Sequence, residues 1–411
     1  MYRNSSRLSS FITQHHFFRI FFVVVKQIGH EFNNTIFRDR SNTLASIIMR
    51  KSIGSAVRRR RALCDFLFSS SSPSKKKTSS SYSTSSHQNI DSLREDFRYA
   101  SATLRRYDYE TYLCTNAIDA NKRAGPLALR ALNCETAGIT TATVSEKEIA
   151  LVKLKWWHEH AESMLTPRTT TTTTTTGEKT KTTTAKPLPE HPIARCVNAV
   201  ATHAKEVLGS EMNEARYVRW IKRAIEARME DVDKGSSLFD STADLETFAR
   251  ETHGNFLLVT LDCENIRSMA SDHVASHLGT AIGLTNSLRG AKINARNRKT
   301  YFPMDLLAAE NVSAETVYEG QIGDERIKNA THKIASAAVG HLAAARRNFA
   351  ENNLGEKYPH MAKLLLQATT TERWLEKLEK YDFDVFRDEL QRTPPLLTQG
   401  RVFVQAWKNQ F

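Results

Sequence analysis

Along the chain, apolar residues recur at helical spacing, and alternation of apolar and polar positions is almost absent. The spacing predicts a helix over about residues 145–164, with Ile149, Val152 and Trp156 on its packed face. A second covers about 211–232, where Tyr217, Ile221, Ala224 and Ile225 form a stripe. Asp244 is placed to cap a third, which carries Leu245, Phe248 and Ala249 and stops before Gly254. Residues 271–289 line up Val274, Leu278, Ala281, Thr285 and Leu288 on one seam. The pattern returns over 327–349 (Ile334, Ala338, Leu342, Ala345) and 371–381 (Trp374, Leu375, Leu378). Glycine (16) and proline (10) are scarce in 411 residues, as where long helices meet at short connections. The fold class implied is all-α.

Two stretches break the pattern. Residues 69–86 hold eleven serines and two threonines, a composition that cannot bury enough apolar surface to order itself. Residues 166–184 hold thirteen threonines, eight of them consecutive, followed by Pro187 and Pro189. We expect residues 91–411 to form one helical domain carrying a Thr-rich insertion at 166–188, with 69–90 a disordered spacer.

Charge separates the leader from the body. Of the 58 basic and 45 acidic side chains, residues 1–90 hold 15 basic and three acidic, so the remainder is nearly neutral. A nucleic-acid-binding body is therefore excluded, since phosphate recognition needs clustered cations on the folded surface. Residues 1–68 read as a mitochondrial transit peptide: Arg3, Arg7 and Arg19 accompany Phe11, Phe17, Phe18 and Phe21, and four arginines occupy 58–61. A basic arm or nuclear address is the competing reading. The longest apolar run, 17–25, contains Arg19 and is far short of the roughly 20 residues a bilayer crossing needs. Five scattered cysteines without a C-x-x-C suggest buried thiols, neither a disulfide framework nor a zinc ribbon.

Chemistry concentrates in residues 279–303. Gly279, Ala281, Asn286, Arg289, Tyr301 and Pro303 stand in the register of a known signature, Gly-x-Ala, Gln-x-x-Asn-x-x-Arg-Asp, then Gly-Arg-x-Tyr-x-Pro. The stretch resembles the second motif of the squalene and phytoene synthases. That resemblance implies a single helical domain of the isoprenoid synthase type. It also implies two D-x-x-x-D motifs on facing helices, each with both carboxylates on one helical face, holding magnesium against a prenyl diphosphate. Here the second pair of aspartates falls on Gly290 and Asn294, and the first, continued from the lead-in at 128–135, on Ala137 and Thr141. A shift of a few residues would bring Glu135 into play. Without those acids no metal, cofactor or catalytic residue is expected, and the chain reads as a pseudoenzyme. Asn286, Arg289, Arg298, Lys299 and Tyr301 remain as contacts for a residual cavity or an anion.

Further strings resemble the mitochondrial complex I assembly factor 6 family: 128–135, Val144-Ser-Glu-Lys, Lys155-Trp156-Trp157, Asp272-His273-Val-Ala-Ser-His277, Thr300 to Asp305 and Tyr381 to Phe386. The resemblance implies a chaperone-like protein peripheral to the matrix side of the inner membrane. Its partners would be complex I assembly intermediates or other assembly factors. The competing expectations are an active magnesium-dependent prenyltransferase with displaced ligands such as Glu135 or Asp305, and a carrier of an isoprenoid or quinone. His273 and His277 with Asp272 could supply two corners of a metal site, although a third is not evident. His158 and His160 diverge on a helix. Trp156 and Trp157, with Phe302 and Phe386, read as packing anchors or as the lining of an apolar cavity.

Overall fold

The computed structural model of the protein describes residues 84–140, 146–166, 187–235, 239–391 and 395–411, all within one compact unit, Arg60–Phe411. The leader at 1–68, residues 69–83 and the threonine run lie outside the described residues. The described chain is helical throughout, with no strand among these residues. Helix α1 (Thr84–Tyr107) is followed by α2 (Tyr109–Asn116), α3 (Ala124–Thr140), α4 (Lys147–Leu165), α5 (Pro192–Leu208) and α6 (Glu214–Lys234). Then come α7 (Thr242–Ala249), α8 (Asn255–Cys263), α9 (Met269–Arg289), α10 (Ala291–Arg296), α11 (Met304–Ala309) and α12 (Ala314–Glu319). The last are α13 (Glu325–Glu351), α14 (Leu354–Lys357), α15 (Met361–Leu364), α16 (Gln367–Lys380), α17 (Asp388–Gln391) and α18 (Pro395–Lys408). Helix α1 starts inside the stretch expected to be spacer, so order begins before Asp91.

Helix α9 is the axis of the core. Every residue from Leu278 to Thr285 is buried, which marks a helix packed on all sides. Its C-terminal half joins the cluster built with α13 and α16 around Leu288, Ile334 and Trp374. Its N-terminal half joins the cluster around Val274, Leu278 and Leu342. A third cluster brings α1, α3, α4, α5 and α6 together over Leu132, Leu154, Val197 and Ile221.

One close crossing sets this arrangement. Helices α7 and α8 are joined by a π turn, Arg250–Gly254, into a continuous rod, and α9 lies against it. A Cβ on Gly279 would fall 2.3 Å from the Gly254 Cα, and one on Gly283 would fall 2.6 Å from the Ala249 Cα. The small residues are there because two backbones touch. Gly254 is therefore the crossing point, not the helix stop that the sequence suggested. The cap expected at Asp244 is supplied by Ser241, with Asp244 completing a reciprocal capping box.

The stripes on α6, α9, α13 and α16 pack as the spacing predicts. Helix α4 does not follow its prediction: Ile149 and Val152 are 57% and 69% exposed, and Ala150, Leu154, Trp157 and Ala161 face the core. The helix is apolar on two faces, and the stripe of tighter-packing residues goes inward. Trp157 is buried, its ring 4.9 Å from Trp156 and 4.8 Å from His191 at the start of α5.

Replacing Gly279 by alanine should overpack backbone against backbone and cost about 3 kcal/mol. A denaturant titration would read this as a lower midpoint, whereas Gly138→Ala, inside α3 with nothing within 4 Å of the new methyl, should not lower it and should raise it slightly.

Candidate functional site

Of the positions expected for the two acidic motifs, Ala137 lies on helix α3, and Gly290 and Asn294 lie at the α9–α10 junction. The polar interior beside α3 is organised by α6. Arg228 stands one turn beyond Ala224 and Ile225 in the apolar stripe of α6, so the helix carries it inward, where it is 2% exposed. Its Nη1 donates to Thr136 Oγ1 (2.8 Å), and its Nη2 donates to Asn133 Oδ1 and to the Thr252 carbonyl (3.2 Å). Asn133 Nδ2 lies 3.4 Å from His253 Nδ1, which accepts from it as the neutral imidazole. Burial, together with the Arg228 charge, pushes His253 down to about 3, and burial brings Arg228 down to about 10. Both directions follow from removing a cation from water, with like charge adding to it at His253. At neutral pH the Arg228 guanidinium therefore stands beside a neutral His253 ring.

A second buried arginine ties α3 to its other neighbours. Arg130 Nη1 donates to Thr115 Oγ1 (2.9 Å) and Nη2 to the Leu364 carbonyl (2.7 Å). Between Arg130, Asn133, His253, Asn286, Arg289 and Gln367, with Asp108 and Glu110 from α2, a cavity of about 30 Å³ remains. That is room for water, whereas sites for organic ligands run to roughly 300 Å³ and above.

The five residues expected at a cavity or anion contact divide. Asn286 and Arg289 line the small cavity. Arg289 is paired with Glu110 at 2.9 Å and lies over the Trp374 ring. Lys299 Nζ and Tyr301 Oη both donate to Asp231 Oδ2 at 2.8 Å, three residues along α6 from Arg228. Burial and that carboxylate hold the Tyr301 phenol well above its ordinary range. Arg298 turns outward and makes a bidentate pair with Glu315 (2.9 and 2.6 Å). Nearby Lys292 donates to Asp388 and to the Phe386 carbonyl. Each of the four cations named here faces an acid of the chain itself.

At the motif positions, Ala137 is half-buried one residue beyond Thr136, Gly290 joins α9 to α10, and Asn294 lies on α10. A Cβ at Gly290 would stand 3.0 Å from the Asn294 amide nitrogen. Thr141 is outside the described residues. Magnesium needs hard, negatively charged oxygen ligands. These positions supply a methyl group, a hydrogen and an amide, and a guanidinium hydrogen-bonds the same stretch of α3. The residues do not fit the metal–diphosphate pair, and no reaction step is derived through it. Among the described residues no group of three or more His, Cys, Asp or Glu side chains could hold a metal ion.

The other candidates are placed individually. Glu135 is half-buried, and burial raises its carboxyl. Asp305 accepts from Thr242 N (3.0 Å) and Leu306 N (2.7 Å), which fixes it to the start of α7. His277 faces His341 of α13, Nδ1 to Nδ1 at 2.9 Å, and not His273. His158 pairs with Glu226 and His160 with the Trp156 carbonyl. The thiols of Cys114, Cys134 and Cys263 are pushed up to about 12 by burial, so they are packing groups. Arg228, His253 and Asp231 were not singled out from sequence. For Arg228 and Asp231 the available signal was a charged residue in register with the apolar stripe of α6.

The squalene/phytoene synthase family profile matches residues 104–407. The chain belongs to that family. Within the body it is 29% identical over 314 residues to the NADH dehydrogenase (ubiquinone) complex I, assembly factor 6 of Mus musculus, covering 76% of this chain and 82% of that protein. The Drosophila melanogaster homolog of that factor is 27% identical over 315 residues, covering 76% and 84%. A chloroplastic phytoene synthase of an Oncidium hybrid cultivar matches at 31% over 114 residues, 28% of this chain and 26% of that one. Among solved structures, a dehydrosqualene synthase in complex with ligand superposes with a TM-score of 0.54 at 13% identity, covering 78% of this chain and 98% of that one. That likeness concerns the fold alone.

Two measurements check the interior. Arg228→Met should destabilise by about 2–4 kcal/mol, because Asn133, Thr136 and Thr252 each lose a donor in a buried setting; chemical denaturation reads it. His253 titrates near 6.5 when unfolded and about 3 when folded, so the folded state holds fewer protons between those values. Its contribution is complete above 6.5 and is lost as pH falls through that window. Thermal melts of wild type and His253→Gln should therefore converge as pH is lowered from neutral to about 4.

Proposed function

We propose that this chain is a non-catalytic assembly factor for respiratory complex I, using a prenyl-synthase frame as a scaffold on the matrix side of the mitochondrial inner membrane. The observation that carries the reading is similarity to factors of that name across most of both chains. The motif positions agree with it: Ala137, Thr141, Gly290 and Asn294 replace the acids on which prenyl transfer depends. So does the interior, where Arg228 is satisfied by the chain's own oxygens and the adjoining cavity of about 30 Å³ is itself too small for an isoprenoid or quinone. The acid-poor leader at 1–68 supports mitochondrial import. Displaced ligands are weak support for an active transferase, since burial favours the neutral form of Glu135 and Asp305 is occupied by backbone amides.

The role predicts that cells depleted of the chain lose assembled complex I on native gels while the other respiratory complexes persist. Re-expression of the Glu135→Gln/Asp305→Asn chain should restore it as well as wild type does, and affinity capture should recover complex I subunits or assembly factors. Normal complex I after depletion would refute the role. Rescue by wild type but not by the folded double variant would favour an enzyme.

A further inference from the structure

The C-terminal helix α18 is apolar on two faces. Thr398, Val402 and Ala406 are buried. The opposite side presents Leu396, Leu397, Phe403, Val404 and Trp407, a stripe recurring at seven residues, with Leu396 77% and Trp407 85% exposed. Among the other described residues Ile149 and Val152 form an exposed pair on α4 and the remaining exposed apolar side chains stand apart, which needs no explanation, whereas a contiguous set of five does. The helix cannot roll to hide this face. Its inner side is packed, Gln399 donates to Tyr109 Oη (2.7 Å), and the chain end is pinned by Phe411, whose carbonyl accepts from Arg346 and whose ring meets Phe349 at 5.0 Å.

We propose that the outer face of α18 is a membrane-surface contact that seats the protein on anionic lipid. Trp, Phe and Leu lie on one side, and Arg401 and Lys408 are the only charged residues of the helix. The last turn of α1, two residues before the Tyr109 that contacts Gln399, carries Arg105 and Arg106 next to the exposed Tyr107. The carboxylates closest to the helix, Glu372 and Glu376, are paired with Arg346 and Arg401, so they do not oppose a negative surface. Arg401 is neutralised by the same two carboxylates, so the charge of the helix itself comes from Lys408; an apolar ridge with that cation and no acid of its own matches an interfacial helix held mainly by burial. It is a lying helix, since no described helix is long and apolar enough to cross a membrane. The assignment deepens the membrane-peripheral part of the proposed function and supplies its contact, without depending on which complex is assembled.

The test uses purified full-length protein and vesicles of phosphatidylcholine containing one third phosphatidylglycerol. Trp407 is far more exposed than the other tryptophans, so its emission should shift to the blue on binding and be quenched by brominated acyl chains. Trp407→Phe should abolish both signals. The basic leader will also attract these vesicles, so binding is measured in about 0.5 M salt, where long-range attraction is screened and apolar insertion persists. There the Leu396→Ser/Phe403→Ser chain should bind about tenfold more weakly or worse, with an unchanged melting temperature because both side chains are exposed. No blue shift, equal binding by the double variant, or self-association of the wild type that the variant loses would each overturn the lipid assignment. If the double variant binds vesicles poorly yet still restores complex I, the contact stands and is dispensable for assembly. If wild type ignores vesicles but restores complex I, the contact falls and the assembly role survives.

Discussion

Taking the Arg228 guanidinium out of water sacrifices a large solvation energy, and the hydrogen bonds that offset it have to come from several helices at once. Asn133 and Thr136 on α3 and the Thr252 carbonyl in the π turn supply them, so α3, α6 and the α7–α8 rod are held in one register by a single side chain. Burial, with the Arg228 charge adding to it, keeps His253 neutral, and its ring can accept from Asn133. A divalent cation brought to this side of α3 would meet a fixed positive charge and no carboxylate at the motif positions.

That centre depends on a frame with its own constraint. The contact of α9 with the α7–α8 rod has no room for a Cβ at Gly279 or Gly283, and it places the π turn, with Thr252 and His253, against α3 and α6. The second signature segment then leaves α9 at Gly290 and returns through Lys299 and Tyr301 to Asp231, three residues from Arg228. Gly279, Ala281, Tyr301 and Pro303, which carry the resemblance in this segment, belong to the elements that build this frame. The proposed scaffold role needs only the packing that these residues provide.

The helical order of the body was legible because α6, α9, α13 and α16 each bury one continuous stripe. Reading failed where one helix offered two. On α4, Ile149 and Val152 were as plausible a core face as Ala150 and Leu154, and periodicity cannot choose between them. Gly254 looked like a terminator because glycine usually is one, and its role as a contact point is visible only once Gly279 lies opposite. Arg289, Lys299 and Tyr301 were identifiable as special, but not their partners Glu110 and Asp231, which lie far away in sequence on helices of their own. Arg228 was missed for a related reason: a charge within an apolar stripe reads as a flaw until its acceptors are known.

The central claim is that this interior has exchanged a metal cage for an internal cation. Calorimetric titration of the purified chain with farnesyl thiodiphosphate, with and without magnesium, addresses it most directly. The account predicts no saturable heat in either case. Stoichiometric binding that appears only with magnesium would contradict it.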